Sequence, residues 1–198
     1  MLQRLVVLAA LTMSGLTGWE QRGGSPQSRP PMPLEEAGAC PFEGCQFGAW
    51  TARETVVARR SRSTSGARSF TVRKGATVTA LTGVLVITRP GRVQFRERTD
   101  LLTAEGRISV APGDTLYLLG YRGEGFTDAW FKGRTYHEVD GAMEFFNALC
   151  DTRPERCAGR VVERQQSIWW VQIRNGDGLV GWTNQTDDFD GKDAFGQR

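Results

Sequence analysis

The sequence predicts an all-β protein of two small barrels in tandem, the second with a short inserted helix, and three observations carry that prediction. The stretch Ile168 to Thr183, IWWVQIRNGDGLVGWT, places Ile168, Trp170 and Gln172 on one face of a strand and Trp169, Val171 and Ile173 on the other. Asn175-Gly176-Asp177-Gly178 then supplies residues that tolerate positive φ, so the segment reads as a tight hairpin. Second, 24 glycines stand between short Val-, Leu- and Thr-rich runs, the spacing of many short strands rather than long helices. Third, Ile108–Gly120 aligns with Phe70–Gly83, with Val110 on Val72, Gly113 on Gly75, Thr115 on Thr77 and Leu119 on Leu81, and one extra residue in the first copy. An internal duplication follows.

The chain opens with Arg4 and an apolar run from Leu5 to Leu16, the length of a signal-peptide core and too short to span a bilayer. Residues 1–18 are read as a signal peptide, which sends the protein to a periplasmic or extracellular space. Residues 19–44, including GGSPQSRPPMPLEEAG, are rich in Pro, Gly, Ser and charge and read as a flexible linker. No later apolar run is long enough to cross a membrane, so no transmembrane segment is expected after signal removal. The four cysteines form two close pairs, Cys40 with Cys45 and Cys150 with Cys157, which in an exported chain read as disulfides. Pairing between the two loops stays open, and a four-thiolate zinc site is the weaker alternative because six residues separate Cys150 from Cys157, more than structural zinc cysteines usually have between them.

The first barrel spans residues 45–104. Thr55–Ala58 gives way to a polar loop, Arg59–Arg68, and then to the strand Phe70–Arg73. Lys74-Gly75 turns the chain into Ala76–Leu81, Val84–Thr88 is a further β-branched run, and Pro90-Gly91 turns into Val93–Phe95. The second barrel spans 105–185, with a helical insertion near 138–160. There Met143, Phe146 and Leu149 fall at helical spacing behind Asp140 as N-cap. Residues 186–198, containing TDDFDGKDAFG, form an acidic tail whose spacing misses the calcium-loop pattern and which reads as a solvated terminus.

Two stretches carry a resemblance. Val57-Ala58-Arg59-Arg60-Ser61-Arg62-Ser63-Thr64-Ser65 with Phe70–Val78 resembles the opening of bacterial Src-homology-3-like domains, and Trp169–Thr183 resembles their closing hairpin. The opening departs from the pattern in having Ser61 and Arg62 where such domains usually carry Gly-Pro after an Arg-Ser. The resemblance covers about Cys45 to Thr183 and implies two Src-homology-3-like barrels. It further implies an exported or envelope-associated binding module that is not itself catalytic.

Charge and aromatic content bear on partners. Residues 53–107 hold twelve Arg/Lys against four Asp/Glu, a net charge of +8, whereas residues 108–198 hold ten against fourteen, a net charge of −4. A basic first barrel suits an anionic wall polymer or membrane surface; a solvated Arg-rich face or attraction between the barrels is the plainer account. Nucleic acid is disfavoured by export. By the resemblance, Trp170, Trp182 and Tyr121 are the ligand-binding residues, with Trp170 on the polar face beside Gln172 and Arg174; core packing is the competing role for each. The expected function is non-catalytic recognition of a peptide or cell-wall component through an aromatic groove. The alternative is an envelope enzyme or enzyme subunit using the inserted helix and His137, the chain's single histidine. No Ser-His-Asp spacing and no Gly-x-Ser-x-Gly occurs, and nothing argues for a metal or a small-molecule cofactor.

Overall fold

The computed structural model describes residues 29–140, 153, 155 and 157–196. Within them the protein is all-β, with 3-10 conformation at Thr186–Asp188 and at Glu155. The expected signal peptide, and all but Asp140 of the helix expected at Asp140–Leu149, lie outside the described residues.

Two curled antiparallel sheets form the molecule. The first runs in the order β15 (Phe189–Asp190), β2 (Gly48–Ala52), β5 (Thr77–Arg89), β13 (Gln166–Arg174), β14 (Val180–Thr183), β3 (Val56–Arg59) and β4 (Arg68–Val72). The far half of β5 also pairs with β1 (Leu34–Ala37). The second runs β11 (Arg134–Val139), β10 (Phe126–Phe131), β9 (Thr115–Gly123), β6 (Gly91–Phe95) and β12 (Gly159–Glu163), beside a separate hairpin of β7 (Thr99–Thr103) and β8 (Gly106–Val110).

The two units are nested rather than in tandem. The Ile168–Thr183 hairpin, expected to close the second barrel, pairs instead with β5 and, through Trp182 and Arg59, with β3. The whole second sheet is therefore an insertion between β5 and β13. Its two ends are adjacent, since Arg89 and Gln166 are ladder partners. Period-two patterning marks strands but not their partners, and a strand as apolar as β13 can satisfy either neighbour.

The duplication is real at the level of hydrogen bonds. The order β15-β2-β5-β13-β14 in the outer unit is repeated as β12-β6-β9-β10-β11 in the inner one, with the hairpins β3–β4 and β7–β8 in the same place in the chain. In the outer unit Ala76 N–H donates to Arg73 O, Gly75 N–H to Ala52 O and Ala52 N–H to Ala76 O. In the inner unit Asp114 N–H donates to Ala111 O, Gly113 N–H to Phe95 O and Phe95 N–H to Asp114 O. Gly75 (φ +80°) and Gly113 (φ +90°) both occupy the left-handed region that this turn requires.

Each unit has its own core. Trp50, Val56, Phe70, Val78, Val171 and Ile173 fill the outer one, and Val93, Phe95, Leu116, Leu118, Phe131 and Val139 the inner one. Leu85, Ile87 and Leu119 join them across a seam, with Leu34, Trp130 and Trp169 packed alongside. The expected placement of Trp169, Val171 and Ile173 inward holds, the two aliphatic residues being fully buried and Trp169 half-buried.

Two further expectations are corrected. The linker of residues 19–44 contains β1, held because Leu34 reaches the seam and its backbone completes the edge of β5. The tail of residues 186–198 is not merely solvated: Phe189 is buried with its ring 5.6 Å from that of Trp50, Lys192 is buried, and Asp193 bridges to Cys45. An acidic composition concealed one aromatic anchor. Cys40 and Cys45 form the expected disulfide. Cys157 is also disulfide-bonded, while Cys150 lies outside the described residues. No helix among the described residues is long and apolar enough to cross a membrane.

Candidate functional site

Strand β13 separates two concave surfaces, because its side chains alternate. Ile168 and Trp170 face a groove of about 590 Å³, joined by Val86 of β5, Trp182 of β14 and the Ser61–Thr64 loop. Glu35 of β1 completes one rim. The Arg62 guanidinium lies 5.7 Å from the Trp182 ring centroid and 2.9 Å from the Glu35 carboxylate, so one cation is both stacked and paired. The loop that carries it is tied by its own backbone: Ser63 N–H donates to Ser61 O, Gly66 N–H to Ser63 O, and Arg59 Nη1 to Gly66 O at 2.8 Å.

The structure thus brings together two of the three expected ligand-binding residues. Trp182 is half-buried on the groove wall. Trp170, expected as the outermost ring of the hairpin, is only 4% exposed and forms the floor. The alternation along β13 is as expected; both faces of the strand are covered at this point, one by the core and seam and the other by the Ser61–Thr64 loop and β1. Tyr121 stands elsewhere.

Tyr121 lines a second cavity of about 730 Å³ with Phe42, Glu43, Gln165, Trp169 and Asp187. Its hydroxyl donates to the Glu43 carboxylate, which also accepts from Glu124 N–H at 3.2 Å. Burial, with Glu43 beside it, pushes the phenol above its ordinary range. Trp169 donates Nε1–H to Ala39 O at 3.0 Å and meets Phe42 edge-on at 5.8 Å. Gln165 Oε1 is buried with no hydrogen-bond partner.

A charge cluster at the seam escaped sequence reading. Asp128 of β10 is 2% exposed and accepts from Arg122, from the Glu138 backbone N–H at 3.2 Å and from His137, whose Nδ1 lies 2.9 Å from Oδ2. Arg122 also reaches Glu36 of β1, at 3.6 Å. Burial opposes ionisation of Asp128, but Arg122 and His137 outweigh it and hold the carboxyl below its usual range. In Glu36 burial wins over Arg122 and raises the carboxyl. Glu105 accepts the His137 backbone N–H at 3.0 Å and is lowered by that bond first. These residues come from β1, β9, β10, β11 and the β7–β8 turn. The consecutive pairing of β9, β10 and β11 brings Arg122, Asp128 and His137 together, and β1 adds Glu36 from a distant segment, so no spacing in the chain announces the cluster.

Among the described residues no group of three His, Cys, Asp or Glu side chains is placed to hold a metal ion. No protein-family model, no curated protein and no solved structure matches this chain.

Proposed function

We propose that the protein is a non-catalytic, exported binding module that takes an extended peptide or a cell-wall component into the Trp170–Trp182 groove. The observation that carries this reading is the convergence of the two tryptophans with Ile168 and the Arg62–Glu35 pair in one open concavity. Aromatic walls stack on extended chains, and a stacked guanidinium beside a carboxylate offers donors and acceptors at the rim. The two segments that resemble Src-homology-3-like domains, 57–78 and 169–183, lie in one sheet, which supports reading the outer unit as a single barrel of that kind. A disulfide at Cys40–Cys45 is compatible with export. The test is co-sedimentation with purified cell-wall sacculi: the parent protein pellets with them and Trp182→Ala stays in the supernatant. A parent protein that remains in the supernatant defeats the wall-binding form of the reading.

One observation favours a second reading, an envelope enzyme or enzyme subunit. The buried Asp128 holds His137 through Nδ1 while the imidazole stays half exposed, the arrangement of an oriented general base. Its Nε2 has the Glu105 carboxylate 3.9 Å away. Hydrolysis of peptidoglycan by the parent, lost in His137→Ala, would favour this reading over the first.

A further inference from the structure

We infer that the free edge of β13, from Gln166 to Trp170, accepts a peptide as an added β-strand whose side chains enter the cavities on both faces, one of them cationic and read by Glu43. This deepens the reading of the Trp170–Trp182 groove and rests on it.

The first ground is the sheet itself. β13 pairs with β5 along its whole length but with β14 only from Val171 onward. Between Gln166 and Trp170 its second edge therefore has no strand partner among the described residues. An antiparallel strand directs alternate N–H and C=O groups to each side, so this half of β13 presents backbone groups outward. Edges of this kind are usually blunted by Lys, Pro or a bulge. Here Ser167-Ile168-Trp169-Trp170 carries neither Lys nor Pro, and the two register shifts of β13 against β5 fall at Gln166/Ser167, where this edge begins, and at Gln172/Ile173, beyond it. Ser167 and Ile168 are exposed.

The second ground is what flanks the edge. Ser167 and Trp169 line the 730 Å³ cavity, Trp170 lines the 590 Å³ groove, and Ile168 borders both. A strand laid beside β13 continues the same pleat, so its successive side chains fall alternately into the two spaces. Five residues span about 16 Å, room for a short linear segment. Strand addition draws affinity from the backbone and specificity from the pockets, which matches a bare edge between two concavities.

The third ground is charge. Glu43 projects into the larger cavity, where Tyr121 OH and Glu124 N–H donate to it, and no Lys, Arg or His lies within salt-bridge distance among the described residues. Asp187 on the same cavity is paired with Lys192 at 2.7 Å yet stays almost wholly exposed. Phe42, Tyr121 and Trp169 supply aromatic surface beside the unpaired carboxylate. A Lys or Arg side chain is the occupant for which such a wall is suited, by ion pairing at its tip and ring contact along its stem. The groove on the other face, with Ile168, Trp170 and Trp182, takes an apolar neighbour.

The test uses the full chain and the synthetic pentapeptide acetyl-Thr-Val-Lys-Val-Thr-amide, followed by tryptophan fluorescence and calorimetry. Three relatives of the peptide are compared: Lys replaced by norleucine, and two versions N-methylated on alternate amides, one set of which must face β13. One N-methylated version is expected to bind at least about tenfold more weakly than the parent peptide, and norleucine about tenfold more weakly. Glu43→Gln should remove the preference for Lys over norleucine while leaving norleucine binding unchanged. Equal binding of both N-methylated peptides overturns strand addition, and an unchanged Lys preference in Glu43→Gln overturns the role of Glu43. Sedimentation of the peptide-free protein as a dimer that Ile168→Lys dissociates would assign the edge to a second copy and overturn the proposal. Sacculus binding that persists while no peptide binds at about 1 mM rejects strand addition and leaves the groove reading standing; peptide binding without sacculus binding supports strand addition and rejects only the wall-binding form of the groove reading.

Discussion

Gly120 and Glu36 meet face to face across the seam: a Cβ at Gly120 would collide with the Glu36 carboxylate. The glycine is required here for close approach, since its φ is not in the left-handed region. Its carbonyl also accepts from Thr127 Oγ1 at 2.8 Å, which fixes it in place. Gly120→Ala must expel Glu36 from its contact with Arg122 and is expected to cost about 2 kcal/mol, measured by urea denaturation. A change under about 0.5 kcal/mol would show that β1 yields freely.

Glu36 also predicts a pH dependence. Its carboxyl is raised in the folded state, so folding favours the protonated form. The sign follows: this group's contribution is fully present below the ordinary glutamate value, about 4.3, and is lost as pH rises through the raised folded value. Glu36→Gln should therefore gain stability relative to the parent as pH increases from about 4 to 7. Parallel stability curves for the two proteins would contradict this.

Asp128 behaves oppositely. Its carboxyl is lowered despite burial, so its contribution is present above the unfolded aspartate value, about 3.9, and disappears as pH falls through the lowered folded one. Asp128→Asn is expected to lose about 2 kcal/mol at pH 7, less than for a fully buried pair because the Arg122 side chain is 38% exposed. The difference from the parent should shrink in acid, and chemical denaturation at pH 3 and pH 7 measures it.

Gln165 offers a stabilising substitution. Its Oε1 is buried without a donor, so Gln165→Met removes an unsatisfied acceptor and keeps the volume. A gain of about 1 kcal/mol in unfolding free energy is expected. A loss of similar size would mean that the oxygen is satisfied by water.

The two groove tryptophans should separate. Trp170 is almost fully buried, and Trp170→Ala is expected to cost about 3 kcal/mol or more. Trp182 is half-buried under Arg62, and Trp182→Ala should cost about 1 kcal/mol, from the stacked guanidinium and partial burial. Binding loss in Trp182→Ala can thus be read without unfolding, which calorimetric melting of both variants checks.

Much of this was written in local sequence. The runs around Val56, Phe70, Val78, Ile108 and Leu116 are strands because β-branched and apolar residues alternate between turn glycines, and Gly75 and Gly113 sit at equivalent turns because the segments are copies. The all-β class and the Cys40–Cys45 disulfide were likewise readable. Partner choice was not. Nothing in IWWVQIR distinguishes pairing with the nearby β10 or β11 from pairing with β5, about eighty residues back. The groove was half legible: alternation set Trp169 and Trp170 on opposite faces, but the loop that closes over Trp170 is polar and distant in sequence. The Glu36–Arg122–Asp128–His137 cluster was invisible, since its members are ordinary charged residues until β9, β10 and β11 pair and β1 is laid beside them.

Nesting also orders events during synthesis. The ribosome releases every strand of the inner unit, through Glu163, before Gln166 emerges, so that unit can close while β2 to β5 still lack their central neighbour. The long β5 then waits as an open template, and a segment made after the whole inner unit, β13 through Phe189, is the one that completes the first sheet begun. A nascent chain stalled before residue 166 is expected to protect the inner unit from protease and leave the outer one cleavable.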